Sequence, residues 1–267
     1  MTIDHSNPVD PAPPYSTSPS LAQLDCVDHG FFGAQGGISS GLYSSLNCGH
    51  SSLDDSDSVR KNRQRVAACF DLEEANLHSL KQAHTNRVVQ LDLASEPQFD
   101  ITADGMVCNV SGVGLGALGA DCAPVLFVDP VNRIIGAAHS GWKGALTGIN
   151  EAVVAAMRQM GARVEYIHAA IGPAMQQRCY EVKPDFRTHL KNTSPIDSSI
   201  FFSERESRLY FDTPAYIRAR LLETGIQNID QSQQDTYAQR EQYFSYRRSC
   251  AAGEGDYGRQ IAVITLR

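Results

Sequence analysis

Three side chains in this 267-residue chain are of the types that hold a catalytic metal: His84, Cys122 and His139. His84 ends Gln82-Ala83-His84 after an apolar run. Cys122 stands in Ala120-Asp121-Cys122-Ala123-Pro124, just before another. His139 follows Ile134 to Ala138 and opens into Ser140-Gly141-Trp142-Lys143-Gly144. Each position reads as a strand-to-loop junction, and neighbouring strands of one sheet can bring such junctions together. Two imidazoles and a thiolate are good zinc ligands, and three protein ligands leave a fourth position open. An open position lets the metal activate water or polarise a substrate atom. The spacings of 38 and 17 positions match no compact metal motif. Cysteine and histidine also serve as buried, hydrogen-bonded core residues, so residue types alone leave both a metal centre and a packed core open.

Gly114-Leu115-Gly116-Ala117-Leu118-Gly119 fits the dinucleotide pattern G-x-G-x-x-G. That pattern needs a helix opening within it, so that backbone amides face a pyrophosphate. Here Pro124 and the apolar run Val125 to Val128 follow instead, which predicts a tightly packed strand. No Walker P-loop and no Gly-x-Ser-x-Gly elbow occurs.

The elements around these residues can be read from periodicity. Strands are expected at Cys26–Phe32, His78–Gln82, Val88–Leu93, Met106–Val110, Val113–Leu118, Val125–Val128, Ile134–Ala138, Tyr166–Ile171 and Ile261–Leu266. Helices are expected at Asp54–Phe70, at Ala145–Met160 with Gly161 as its stop, and at Pro214–Thr224 with Thr213 as its cap. Strands and helices are mixed and no repeat or linker divides them. The expectation is one α/β domain over residues 23–267, with a central mixed sheet flanked by helices.

Composition narrows the function classes. Hydrophobic residues make up 42% of the chain and the formal charge is −7, which fits a globular protein and argues against a broad nucleic-acid surface. A local basic pocket for an anion stays compatible with that charge. No stretch approaches the roughly 18 apolar residues that cross a bilayer. Met1 to Ser20 is polar and Pro-rich and lacks a signal peptide's apolar middle. Residues 1–22 are expected to form a poorly ordered tail. The seven cysteines are odd in number and form no Cys-x-x-Cys pair, as expected of reduced thiols in a cytoplasmic protein.

Several motifs occur in a fixed order: Ser45-Leu46-Asn47-Cys48-Gly49, Asn62-Arg63, Gln82-Ala83-His84, Ala103-Asp104-Gly105, Gly119 to Pro124, Ala138 to Gly144, Ile171-Gly172-Pro173, Tyr180-Glu181-Val182, Phe244 to Arg248 and Gly258-Arg259-Gln260. From about Phe31 to Arg267 the chain resembles the YfiH-like family. That family was long labelled polyphenol oxidase or multicopper laccase. It is now described as purine nucleoside phosphorylase with adenosine deaminase and methylthioadenosine phosphorylase activity. Three departures stand out. Gly119 replaces a common Thr before Ala-Asp-Cys, Ala174 follows Gly172-Pro173 where Cys is common, and Asp235 precedes Thr236 where Cys is usual.

The resemblance implies a fold shared with the catalytic domain of cytotoxic necrotizing factor toxins, zinc on His84, Cys122 and His139, and purine nucleosides and phosphate as partners. It makes Arg63, Lys143, Arg247 and Arg248 candidates for phosphate, with bidentate arginine contacts or a lysine point charge. Asn47 is a candidate for ribose or base, and Tyr43, Phe244 and Tyr246 for stacking on the purine. Each also has a plainer reading as a surface cation, a turn residue or packing. Three rivals remain open. True multicopper chemistry wants His-x-His pairs, and none of the eight histidines forms one, although copper can displace zinc from such ligands. Cys122 with His139 as its base fits a metal-free amidase, such as one editing peptidoglycan precursors. A purely structural metal site would want a fourth protein ligand.

Overall fold

A computed structural model describes residues 11–91, 95 and 99–267. In chain order the strands are β1 Tyr15–Ser16, β2 Val27–Phe32, β3 Leu77–His78, β4 Val88–Leu91, β5 Gly105–Cys108, β6 Gly114–Gly119, β7 Ala123–Asp129, β8 Ile134–Ser140, β9 His168–Ile171, β10 Glu181–Val182, β11 Phe202–Arg205, β12 Arg208–Phe211, β13 Asn228–Gln231 and β14 Gln260–Leu266. The helices are α1 Ser56–Ala68, α2 Trp142–Thr147, α3 Ile149–Gln159, α4 Pro184–Thr193, α5 Thr213–Glu223 and α6 Tyr246–Ala252.

The mixed α/β class is as expected, but the expected central sheet is two sheets packed face to face. One has the order β1-β2-β14-β6-β3 and the other β13-β9-β7-β8-β5-β4, with a small third sheet β10-β12-β11. Both large sheets mix parallel and antiparallel pairs. The reason lies in the period-two alternation of side chains along a strand. On β7, Leu126 and Val128 face Leu115, Ala117, Ala262 and Ile264 of the other sheet. Val125 and Phe127 point the opposite way, onto Ile149, Val153 and Met157 of α3 and Ile217 and Leu221 of α5. On β14, Ala262 and Ile264 enter the inter-sheet core, while Ile261 and Val263 meet Val66 and Ala67 of α1. Strands apolar on both faces are thus covered on both faces, giving helix, sheet, sheet and helix layers.

The glycine-rich run is β6, as its surroundings predicted. A Cβ on Gly116 would stand 2.8 Å from Ile261 Cδ1, and one on Gly114 2.7 Å from Leu72 Cδ1. These glycines serve close packing, and no helix follows to meet a phosphate.

Several boundaries differ for identifiable reasons. The expected helix Ala145–Met160 is two helices, because Gly148 adopts φ +90 between α2 and α3. Gly161, at φ +107, stops α3 as expected. The cap of α5 is Asp212, whose carboxylate accepts from Ala215 N, and Thr213 is the first helical residue. Helix α1 is shorter than Asp54–Phe70 because the Asp55 carboxylate caps it through Ser58 N. Of the expected strand at His78–Gln82 only His78 lies in a ladder, as the end of Leu77–His78, with Lys81 in an isolated bridge to Thr102, and the stretch ending at Ile171 begins as a 3-10 turn at Val164–Tyr166. Positions 92 and 93 of the expected strand Val88–Leu93 lie outside the described residues.

The poorly ordered tail needs correction over its described portion. Residues 1–10 lie outside the described residues, but Tyr15–Ser16 pair with Phe31–Phe32. The Tyr15 ring packs 4.9 Å from Phe32 and 5.6 Å from Phe70, and Leu21 is fully buried. Ser18 N donates to His29 Nε2 at 2.8 Å, and Ser20 N donates to Asp230 at 2.8 Å. Prolines set the composition of this segment, yet its two apolar anchors and its paired backbone fix it.

Candidate metal centre and active-site cavity

Cys122 lies in the three-residue step from β6 to β7, where the chain passes from one large sheet to the other. The step is tight, and Asp121 takes φ +92 to make it. His139 is on β8 directly opposite Pro124 of β7, in register with Ala123 and Ser140. His84 sits in the connection after β3, at φ +59. Both positive-φ residues are non-glycine, a local cost that concentrates where geometry serves a site.

Sheet pairing and these turns bring the three side chains together. Their ligand atoms all lie within 4.8 Å of one another, and the His84 and His139 ring centroids are 4.8 Å apart. This is the one such metal-competent group among the described residues. A Cβ on Gly141 would stand 2.6 Å from Cys122 Sγ and 3.0 Å from His84 Nδ1 and Cε1. Glycine is therefore required against the cradle formed by the donors. Two imidazoles and one thiol, with no fourth such donor grouped with them among the described residues, suit an ion such as zinc with an open position.

Asp104, named in a sequence motif but given no role there, organises the site. It precedes β5 and is almost fully buried. Its carboxylate accepts from the backbone N of Ala83, His84 and Thr85 and from Thr85 Oγ1, which sets the strained His84 turn. Asp104 Oδ1 also meets His139 Nδ1 at 2.8 Å, and its carbonyl accepts from His139 N at 2.8 Å. With Nδ1 engaged, Nε2 is the His139 atom left for a ligand, the arrangement typical of metal-bound histidine. Burial pushes the Asp104 carboxyl up, but hydrogen bonds from His139 and Thr85 outweigh it and bring it to about 2. Burial likewise pushes His139 down, but the Cys122 sulfur and Asp104 carboxylate raise it to about 9. His84 is held below its ordinary value by burial and by the charges of His139 and Lys143. The Cys122 sulfur and the Asp104 carboxylate thus favour positive charge at His139.

The triad lines a cavity of about 530 Å³ with apolar walls from Leu80, Leu118 and Met175 and aromatic ones from Trp142, Tyr180, Tyr246 and Tyr257. Arg247 and Arg259 are its two arginines. Asp121 also lines it. This carboxylate accepts from Thr236 Oγ1 at 2.8 Å, Ser245 Oγ at 2.9 Å and Arg247 N at 2.7 Å, tying the Cys122 step to α6. Burial pushes its carboxyl up.

Of the eight other residues expected to touch substrate, only Arg247 and Tyr246 line the cavity. Asn47 is fully buried with its amide spent. Its Nδ2 donates to Ser52 and Asp54, and its Oδ1 accepts from Gly49 N and Arg259 N. Arg63 is 0% exposed and donates to Glu74 at 3.0 Å, Ser79 Oγ at 3.2 Å and the Leu77 carbonyl. It holds α1 to β3. Arg248 gives its donors to the carbonyls of Thr236, Tyr237 and Tyr243. Lys143 is exposed on α2, its ammonium 5.6 Å from the Trp142 ring. Tyr43 donates to Asp256, and Phe244 packs in a small core with Ala34 and Ala120. Tyr246 does face the cavity. The sequence reading missed Trp142, Tyr180, Tyr257 and Arg259 as lining residues, although the motifs carrying all but Tyr257 were visible.

Comparisons place this geometry among known proteins. Residues 28–267 match the family model described as multi-copper polyphenol oxidoreductase laccase. A purine nucleoside phosphorylase of Deinococcus radiodurans is 36% identical over 256 residues, covering 96% of this chain and 94% of that protein. The crystal structure of YlmD from Geobacillus stearothermophilus superposes with a TM-score of 0.84 at 28% identity, covering 91% of this chain and 93% of that one. A Bacillus licheniformis protein, YfiH, gives 0.83 at 30% identity, covering 90% and 93%. With the match spanning nearly every described element and all three cradle residues, the chain belongs to the YfiH-type family described as multi-copper polyphenol oxidoreductase laccase.

Proposed function

We propose that this chain is a zinc-dependent purine nucleoside phosphorylase that also deaminates adenosine and phosphorolyses S-methyl-5′-thioadenosine. The observation that carries this reading is the convergence of His84, Cys122 and His139, donor atoms within 4.8 Å of one another, in the wall of a cavity of about 530 Å³. That volume lies within the range of small-molecule sites, roughly 300–1,000 Å³. The relatives' name supplies the substrate class, and the absence of a disulfide among the described cysteines suits a cytoplasmic setting. No helix among the described residues is long and apolar enough to cross a membrane.

In phosphorolysis, an oxygen of hydrogenphosphate bonds to C1′ of the ribose while the C1′–N9 bond breaks. The purine leaves with the bonding pair and takes the phosphate's proton, giving the free base and ribose 1-phosphate. In deamination, the oxygen of water bonds to C6 while the C6–N6 bond breaks; one water proton leaves on ammonia and the other ends on N1, giving inosine. His84, Cys122 and His139 would hold the zinc, which supplies Lewis acidity at its open position. The chain's own residues do the rest. Asp104 fixes the His139 ring and the His84 turn. Tyr246, Tyr257 and Trp142 offer planar faces to the base. Leu80, Leu118 and Met175 keep water from the reacting face, which strengthens every charge contact within.

The Asp104–His139 contact at 2.8 Å beside Cys122 favours a second reading, a thiol nucleophile with an oriented base cleaving an amide. One experiment separates the two. Purified protein is analysed for metal and then assayed with adenosine, inosine, guanosine and methylthioadenosine, with and without phosphate, before and after chelation. About one zinc per chain, ribose 1-phosphate only with phosphate, and loss of turnover on chelation are expected. Copper on the same ligands would point to metal substitution. Full turnover in metal-free protein overturns the reading, and rapid alkylation of Cys122 in that active state favours the amidase.

A further inference from the structure

Asn47 does not line the cavity, and what it and Gly49 hold instead is informative. Cys48 N donates to the Arg259 carbonyl at 2.9 Å, and Asn47 Oδ1 accepts from Arg259 N at 2.9 Å. A Cβ on Gly49 would stand 2.7 Å from Arg259 Cδ. The turn at Asn47–Gly49 therefore grips the Arg259 backbone on both sides and leaves a slot for its stem. The guanidinium lies over the Tyr257 ring at 4.0 Å, and its side chain is only 16% exposed.

Arg247 faces the same cavity from α6. Its backbone is fixed by Asp121, and its guanidinium lies 5.3 Å from the Tyr180 centroid. The Tyr246 and Tyr257 rings, 5.0 Å apart, join the two arginine-bearing segments. Stacking occupies the faces of a guanidinium and leaves its edge N–H donors in the plane. Those edges are mostly unspent. The polar side-chain contacts are Arg247 Nη1 to the Glu181 carbonyl at 3.1 Å, Arg259 Nη1 to the Tyr257 carbonyl at 3.0 Å, and Arg259 Nη2 to Asp256 Oδ1 at 3.6 Å, beyond hydrogen-bond length. Arg63 and Arg248, by contrast, spend their donors on protein oxygens. Among the described residues the one carboxylate lining the cavity, Asp121, is committed to three donors.

We propose that Arg247 and Arg259 form the clamp that binds inorganic phosphate in this cavity, with Arg259 positioned by the Asn47–Gly49 turn. The proposal rests on the phosphorylase reading for its ligand. Two guanidinium edges matched to phosphate oxygens give charge-assisted, bidentate recognition that one lysine could not provide. They also place the anion in the cavity that the metal cradle lines, as attack on C1′ requires.

The test uses the full-length chain and its variants R247Q, R259Q, R259K and G49A, with thermal melting to establish folding. Steady-state kinetics vary phosphate and nucleoside separately, and calorimetry titrates inorganic phosphate into each protein. R247Q and R259Q are expected to raise the KM for phosphate about tenfold or more, with the KM for nucleoside changed less than about twofold. R259K retains the charge but not the fork, so it should fall between wild type and R259Q. G49A keeps every charge and displaces the Arg259 stem, so it should raise the phosphate KM as a purely positional change. Phosphate KM and calorimetric affinity in both Gln variants within twofold of wild type overturn the clamp and leave the phosphorylase reading standing. If wild type forms no ribose 1-phosphate, the phosphorylase reading fails, and calorimetry alone decides the clamp: phosphate binding lost in R259Q supports it, and binding retained overturns it.

Discussion

Gly141→Ala is a one-carbon test of the metal centre. Gly141 has φ −75 and ψ 173, which alanine adopts without strain, so the backbone accepts the change. The added Cβ would stand 2.6 Å from Cys122 Sγ and 3.0 Å from two atoms of the His84 ring. Ordinary non-bonded contacts lie at roughly 3.5–4.0 Å, so about 1 Å of displacement must fall on the two donors. Stability should change little. The chain loses unfolded-state freedom worth about 0.4–1 kcal/mol, against an overpacking cost of about 1–3 kcal/mol. A net loss of at most about 2.6 kcal/mol lowers the melting temperature by no more than roughly 10 °C. Catalysis is more sensitive, because misplacing reacting groups by 1 Å costs about 10²-fold. Metal analysis by plasma mass spectrometry should fall from about one ion per chain to well under half. The kcat/KM for nucleoside should drop about 10²-fold while the protein stays folded. A G141A protein with full metal content and full turnover would refute the geometry from which the function is argued.

Three further outcomes follow from other parts of the structure. Arg63→Met removes the buried partner of Glu74 and should destabilise the fold by about 3 kcal/mol in urea titration, with phosphate KM unchanged; a raised phosphate KM at full stability would return Arg63 to the substrate site. Gly148→Ala places a Cβ at φ +90 between α2 and α3 and should cost about 1–2 kcal/mol, so an unchanged denaturation midpoint contradicts the helix break. Burial holds the imidazoles of His29 and His78 below their ordinary value. The native state then stays neutral while the unfolded chain takes up protons as pH falls through about 6.5. Stability from these residues is complete above that pH and declines below it. Melting temperature should drop between pH 7.5 and 5.5, less steeply in His29→Gln, and a flat profile would show that these imidazoles do not govern it.

The strand runs were legible because β7 and β14 are apolar at every second position and again at the positions between. That pattern reports burial on both faces but not by what, so two stacked sheets and one sheet between helices look alike. The helix break at Gly148 was less legible, since the apolar spacing continues through it. The N-terminal segment was misread because proline content outweighed Tyr15 and Leu21, whose packing partners lie elsewhere in the chain.

Residue types offered His84, Cys122 and His139 as a set, and it was the family resemblance carried by the ordered motifs that favoured the set as metal ligands over packed core residues. Residue order also dismissed the glycine-rich run, because no helix follows it. Tertiary structure decided which polar groups are free to act. Asn47 finds Arg259 at a separation of 212 positions, and Asp121 finds Arg247 at 126. A donor or acceptor can be spent on a distant partner or left open to a cavity, and the side chain is the same in both cases. Hydrogen-bond saturation is a property of what surrounds a group in space, so only the folded chain distinguishes Arg63 and Arg248 from Arg247 and Arg259.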